Sequence, residues 1–546
     1  MTTNTAAQPL PADANADAGA NPATEALVPR RYAALAGVIA AAVALAVGEL
    51  VAAFVSGAPS PVAAVGAAVI DFAPPGSKDI AVALFGTNDK PAILALITLV
   101  VLLVGAGIGL LARRREAAGT VAIVGLVGVG FLATLRLPET QLSVALLSAG
   151  LQAGLGVQAL AILLAVAPRP VVDGSAGPTG PGAIATAPAT GRRRFLVRAG
   201  VLGGLAVIGG GIGRSMVERR ATQVAIVNGE IPQAVQPALA PGPDSSFAVE
   251  GLTPLVVPNG SFYRIDTALV TPSVNLADWK LKVHGMVRNE VTLTFDQLVE
   301  LPLVEQYVTI ACVSNEVGGN LVGNAKWTGV RLTDVLEMAQ PFAEASQIVP
   351  RSVDGWTAGF PTEWVTAPER PRDALIAVKM NDEPLPAAHG FPARLIVPGL
   401  YGYVSATKWL SDIELTTLEA FDAYWVPRGW AKEAPILTQS RIDVPGSGSS
   451  VREGAVAVAG VAWAPDRGIS KVEVAVDGGA WQQATIATPI GPQTWVQWKW
   501  TWQATSGDHQ IEVRATDGTG EVQTDSVTRP DPDGARGHHR IAVRVG

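Results

Sequence analysis

Five long apolar runs, all within the first 215 residues, decide most of what this chain of 546 residues can become. They are Ala33 to Val55, Pro91 to Ala112, Gly119 to Leu135, Leu142 to Ala167 and Phe195 to Ile212. About 20 apolar residues cross the hydrocarbon core of a bilayer, so each run reads as a transmembrane helix. Between the first two lies an apolar stretch, Pro61 to Phe85, broken by Asp71, Pro74, Pro75, Lys78 and Asp79. Charge at bilayer depth is costly, and this stretch reads as an interfacial or re-entrant loop. Arg30 and Arg31, Arg113 to Arg115, and Arg169 with Arg192 to Arg194 all fall on one side if the amino terminus is cytoplasmic. Five spans then place the remainder of the chain outside the cytoplasm. The run Arg192-Arg193-Arg194-Phe195-Leu196, followed by a Gly-rich apolar segment, also has the form of a twin-arginine export signal; ordinary positive-inside charge is the other reading.

The formal net charge is -7, and no basic stripe interleaved with aromatics occurs, which argues against a nucleic-acid partner. Residues 1–28 are expected to be a disordered tail, 29–167 to hold four spans, and 168–194 to form a Pro/Gly/Ala/Thr cytoplasmic linker. The fifth span covers 195–213, and a Pro-containing tether, 214–249, leads outward. From 250 to 440 short apolar strands alternate with helices, predicting an α+β domain. Within it Trp279 to Gly285 reads as a strand, and Thr294 to Glu300 and Thr333 to Ala339 read as helices capped by their leading threonines. From 441 to 546 the pattern is a train of strands punctuated by Asp477-Gly478-Gly479 and Asp517-Gly518, as in an immunoglobulin-like β-sandwich. Trp498, Trp500 and Trp502 share one face of a strand, which is either the sandwich core or a contact surface. The adjacent His538 and His539 point to opposite faces of an extended chain, which makes them turn and strand residues rather than a metal site.

The single cysteine, Cys312, ends the apolar run Val308-Thr309-Ile310-Ala311 and opens a loop containing Ser314-Asn315 and Gly318-Gly319-Asn320. One thiol cannot staple a fold or build a four-cysteine metal site, so it is buried filler or a lone soft ligand. The segment resembles the cysteine loop of the sulfite oxidase family of molybdenum enzymes. Two more blocks carry the resemblance: Asn259-Gly260-Ser261-Phe262-Tyr263-Arg264-Ile265-Asp266, where Ile265 and Asp266 replace the Asn-His that follows the arginine in sulfite oxidases, and His389-Gly390-Phe391-Pro392-Ala393-Arg394 continuing to Ser405-Ala406-Thr407-Lys408-Trp409. The likeness covers residues 250 to 546 and leaves the apolar half outside it.

The resemblance implies an α+β molybdopterin domain followed by a sandwich that dimerises enzymes of the family. It implies a molybdenum-molybdopterin cofactor whose metal is bound by the catalytic Cys312. It further implies pterin and phosphate contacts from His389, Arg394 and Lys408, other cofactor contacts from Asn259, Tyr263, Asn315, Trp327 and Ser405, and substrate-side roles for Arg264, Tyr424 and Arg536. The implied reaction moves an oxygen atom to or from a small sulfur or similar oxo compound, with the cofactor supplying the redox chemistry. Sulfite oxidases follow the cysteine with Ala-Gly-Asn-Arg-Arg, whereas this chain has Val313-Ser314-Asn315-Glu316-Val317. Loss of the arginine pair, with Glu316 nearby, predicts weak sulfite binding and favours a less charged oxyanion or S-oxide. An enzyme like the methionine sulfoxide reductase of this superfamily, or a non-catalytic cell-surface protein that kept the fold, are the alternatives. No histidine precedes His284, so the spans offer no bis-histidine haem site, and one cysteine excludes a four-cysteine iron-sulfur cluster. Electrons are therefore expected to pass to or from another protein or a diffusible carrier.

Overall fold

The computed structural model describes residues 27–55, 58–73, 84–85, 89–138, 140–169, 189–222, 231–368 and 373–546. The expected tail and linker fall largely on 1–26 and 170–188, and part of the tether on 223–230, outside the described residues. The helices that come first are, among the described residues, α1 (Arg30–Phe54), α2 (Pro61–Asp71), α3 (Asp89–Ala112), α4 (Glu116–Thr134), α5 (Leu142–Val166) and α6 (Ala189–Thr222). All but α2 are long and apolar enough to cross a membrane. The broken stretch after the first run yields the short α2, whose amino end is set by Pro61 and by the Ser60 hydroxyl accepting from Ala63 N at 3.2 Å. Ser60 also donates to the buried Glu49 of α1 at 2.6 Å, tying the two helices together.

Helix α1 is the hub of the bundle, packing on α3, α5 and α6. Gly37 faces Gly105 and Gly109 of α3 so closely that a side chain at any of the three would strike backbone. Val28, Tyr32, Ile108, Leu164 and Phe195 pack together at one end of the bundle, and the arginine sets flank this end. Near the far end of α1, Ala52 and Ala53 pack with Met216, Val217 and Val270 of the soluble part.

The α+β domain rests on two sheets. In one, Lys280–Gly285 runs parallel to Leu410–Thr416 and antiparallel to Val291–Thr294, with Gln347–Ser352 and Phe360–Pro361 beyond. In the other, Leu303–Ala311 pairs antiparallel with Val322–Arg331, which pairs with Leu375–Met380, and that strand also carries Arg394–Ile396. Leu281, Trp327, Ile348 and Leu395, all fully buried, belong to the core shared by these elements. The helix expected at Thr294 forms over Phe295–Val299 with a reciprocal capping box between Thr294 and Gln297. The helix expected at Thr333 begins one residue earlier, at Leu332, because Thr333 is buried inside the first turn instead of capping it.

The carboxyl-terminal sandwich begins with the strand Gln439–Val444, which pairs with Gly454–Trp463. A four-stranded and a five-stranded sheet enclose Val458, Val474, Trp498, Trp502, Ile511 and Val543. Trp498 and Trp502 are buried and Trp500 packs beside them, so the tryptophan strand faces the core. His538 bonds Glu512 and the Gln523 carbonyl, whereas His539 accepts from Ile442 N at 3.0 Å, so the two histidines turn to separate partners. The two soluble parts share their packing. Trp495 is fully buried, its indole donating to Leu255 O and its backbone N to Thr309 Oγ1, both at 2.8 Å.

Candidate active site

The register of the hairpin pairs Ala311 with Val322, which makes residues 312–321 its tip. Cys312, 8% exposed, opens this tip and donates its backbone N to Leu321 O at 2.9 Å. Asn315 closes the loop, its N donating to Cys312 O at 3.0 Å and its side-chain oxygen accepting from Leu321 N at 2.7 Å. The sandwich braces it from outside: Arg441 reaches Gly319 O at 2.8 Å, and Gly318, at φ +77°, lies against the His539 ring where any side chain would collide. The cysteine is thus held by backbone bonds on one side and by a second folded unit on the other.

Two tyrosines stand within electrostatic reach of the sulfur. Burial raises the Tyr263 phenol well above its ordinary range, and a negative Cys312 adds to the shift while Arg394 opposes it. Burial likewise pushes Tyr401 up to about 12, with the backbone bond from Leu437 opposing and Cys312 again raising it. Both phenols therefore stay protonated at neutral pH and keep a proton to donate. Phe262 stacks on Tyr263 at 5.3 Å and meets both Trp327 and His389 edge-on, at 6.0 and 5.8 Å.

Beyond Tyr263 lies a cluster of buried cations. Gly390, at φ +118°, turns the chain so tightly that a Cβ there would sit 3.0 Å from Arg394 Cβ and 3.1 Å from Lys408 Cα. This brings the two cations under one turn. Arg394 is 4% exposed, its guanidinium lies 5.0 Å over Trp327, and Nη1 donates to His389 O at 3.1 Å. Its Nε has no hydrogen-bond partner, and no carboxylate pairs with it among the described residues. Burial pushes its pKa down to about 10. Thr407, fully buried beside Lys408, likewise has a hydroxyl without a partner. Lys408 is 9% exposed and donates to Asp266 Oδ2 at 2.7 Å; burial pushes its pKa down to about 8 against the pull of that carboxylate. Burial pushes His389 down to about 4, against its bond to Asn259 O at 2.9 Å, so the ring is neutral at pH 7.

Asp266 is the hub of the charges. Its side chain is 4% exposed and receives Lys90 of α3 at 2.6 Å, Lys408 at 2.7 Å and Arg264 at 3.0 Å. Burial alone would raise its pKa, but the three cations hold it far below the usual carboxylate range. Asp354 is coupled to the same group. Arg394, buried with an unsatisfied Nε and no paired carboxylate among the described residues, leaves positive charge here uncompensated. A buried cation without a counter-charge is costly. An anionic ligand rich in acceptors fits this donor set, as a phosphate-bearing pterin would.

The other expected residues lie around this centre. Asn259 accepts from Asn381 and donates to Met380 O and Glu383, and Trp327 is core beneath Arg394. Ser405 donates to the carbonyls of Leu400 and Tyr401, holding its own turn. Arg264 is engaged by Asp266 and by Thr271 Oγ1. Arg536 is forked onto Asp533 at 3.0 and 2.8 Å beside Tyr401, and Tyr424 lies under Arg428 and reaches Asp71 at the end of α2. Tyr401, Thr407 and Lys90 were not singled out from the sequence, and Asp266 only as a departure from the family pattern. The first two sit inside the block that holds Arg394 and Lys408, which was the available signal.

A buried cysteine, protonated phenols within electrostatic reach of it and a buried cationic cluster with orphaned donors fit a molybdopterin-binding oxidoreductase. Residues 268–425 match a protein family described as the oxidoreductase molybdopterin binding domain, and residues 439–513 match the bacterial Ig domain. The chain is 33% identical over 170 residues to the oxidoreductase YuiH of Bacillus subtilis, covering 31% of this chain and 81% of that protein. Mitochondrial sulfite oxidase of Mus musculus is 28% identical over 320 residues, which span 50% of this chain and 58% of the relative. The sulfane dehydrogenase SoxCD of Paracoccus pantotrophus aligns in structure with a TM-score of 0.47 and 24% identity, over 57% of this chain and 87% of that one. The chain belongs to the sulfite oxidase family of molybdopterin-dependent oxidoreductases.

Proposed function

We propose that the chain is a membrane-anchored oxidoreductase whose soluble part works outside the cytoplasm, moving an oxygen atom to or from a small sulfur or similar oxo compound. The observation that carries this reading is that the lone buried cysteine and a buried arginine with an orphaned donor both lie within electrostatic reach of Tyr263. Molybdopterin would supply the two-electron chemistry there, with Cys312 as the protein's soft ligand to its metal. Arg394, Lys408 and the Thr407 hydroxyl would hold its phosphate end. Neutral His389 offers the pterin a ring nitrogen without adding charge. Tyr263 and Tyr401, kept protonated by burial, donate to a substrate oxygen near the sulfur. Measuring molybdenum and pterin in the purified full-length protein separates this reading from that of a non-catalytic surface protein.

The substrate side favours a weakly charged compound. Arg264 and Arg536, the two arginines expected to draw in an anion, are already engaged, Arg264 by Asp266, which it shares with Lys90 and Lys408, and Arg536 by Asp533. Glu316 is exposed, so solvent screens the repulsion expected from it. Sulfite oxidation with an artificial acceptor is therefore expected to be poor and S-oxide reduction with an artificial donor better. Glu316→Arg should improve sulfite affinity only a few-fold, since an exposed charge contributes about 1 kcal/mol or less. Tight and efficient sulfite turnover by the unmodified chain would restore sulfite as the substrate.

Membrane anchoring is supported by the bundle's polarity. The arginine sets gather at one end of α1 and the soluble contact with Val270 lies near the other. A reporter fused after Gly546 is expected to be extracytoplasmic and one inserted within 168–190 cytoplasmic. A cytoplasmic carboxyl-terminal reporter would remove both the orientation and the export reading. Redox equivalents then pass to a separate protein or a diffusible carrier.

A further inference from the structure

We propose that Lys90, at the start of α3, is a positioning residue of the cofactor site, so that the apolar bundle itself completes the cradle for the cofactor's anionic end. The proposal rests on the cofactor reading above. Lys90 is separated from its partner by 176 residues, yet its Nζ donates to Asp266 Oδ1 at 2.6 Å and to Ala268 O at 2.8 Å. The other oxygen of the same carboxylate receives Lys408 at 2.7 Å. One buried carboxylate is thus shared between a cation of the bundle and a cation of the pocket. Were Lys90 absent, Asp266 would bind Lys408 and Arg264 without competition and draw both ammonium and guanidinium toward itself, away from the anion site. With Lys90 present, Asp266 is saturated by charge and Lys408 keeps donor capacity for a phosphate.

The contact is part of a broader docking of the bundle over this side of the domain. Gly66 of α2 packs on Leu269, and Tyr424 and Arg428 both reach Asp71. Segment 264–271 therefore has the pocket on one side and the bundle on the other. Sequence comparison with sulfite oxidases identifies Asp266 as a departure; its partner Lys90 lies in the half of the chain that the family does not cover. The departure and the bundle are two halves of one interaction.

The test uses the full-length protein in detergent micelles and follows release of the pterin by fluorescence of its oxidised form, a readout independent of turnover. Lys90→Met is expected to release pterin about tenfold faster, because the buried Asp266 carboxylate loses one of its charge partners. Lys90→Arg, which keeps the charge and can bridge both acceptors, is expected to restore slow release. Asp71→Asn, which loosens docking at a different point, should leave release unchanged, and thermal unfolding of each variant reports folding separately. Unchanged release in Lys90→Met, or equal loss in the methionine and arginine variants, overturns the proposal. Pterin that is present and tightly held regardless of Lys90 leaves the cofactor reading intact, whereas an unmodified protein devoid of pterin overturns both.

Discussion

Replacing Cys312 by serine is expected to abolish turnover while leaving the pterin in place. The side chains are nearly the same shape, and the bonds that fix the loop come from the Cys312 backbone and Asn315, so the tip of the hairpin should keep its form. A buried cysteine otherwise behaves as a small apolar group, which makes the cost to folding modest. The ligand chemistry changes completely, since a hard and weakly acidic hydroxyl replaces a soft thiolate. Groups one shell out from a metal typically alter activity by about 10–100-fold, and loss of a direct ligand should exceed that. Arg394, His389 and Lys408 are untouched, so pterin content should match the unmodified protein while the metal's absorption spectrum changes. Three measurements on one preparation, turnover, pterin content and spectrum, check the assignment, and full activity in the variant would refute it.

The difference between what the chain's order reveals and what only its fold reveals is visible in the charged residues. Long apolar helices are local, so their number was legible from composition within windows of about 20 residues, although the last runs over Ala189–Thr222, past both ends of the expected 195–213. The tryptophan strand was legible because side chains alternate with period two, and the capping box at Thr294 because its partner is three residues away. Cys312 stood out because it is alone, and the family blocks brought His389, Arg394 and Lys408 with it. What the sequence could not show is which charges cancel. Arg264 and Arg536 look like anion anchors until their carboxylate partners, Asp266 and Asp533, are seen engaging them. Both partners lie within three residues, but a short separation in a loop does not dictate a contact. Lys90 is the opposite case, distant in the chain and adjacent in space. Thr333 failed as a cap because burial of its side chain outweighed its capping preference.

Arg394→Met carries the prediction in which two observables move in opposite directions. The guanidinium is buried, its Nε has no protein partner, and no carboxylate balances it among the described residues. Burial lowers its pKa to about 10, which expresses the same cost: the charged form is disfavoured in this position. Methionine has similar length, no charge and enough flexibility to fill the space over Trp327. Exchanging buried ionic groups for packed apolar ones is commonly neutral or stabilising by about 1–4 kcal/mol. The cofactor-free variant should therefore unfold at a higher temperature than cofactor-free unmodified protein. Cofactor affinity should move the other way. Removing one partner of a buried, hydrogen-bonded charge pair costs about 2–5 kcal/mol, or about 30-fold to several-thousand-fold in binding. Calorimetry on cofactor-free samples and pterin content after purification read the two effects independently. A variant that is destabilised yet binds pterin normally would make Arg394 an ordinary core residue. One that is stabilised and empty would identify the guanidinium's destabilising burial as a cost carried for the sake of the ligand.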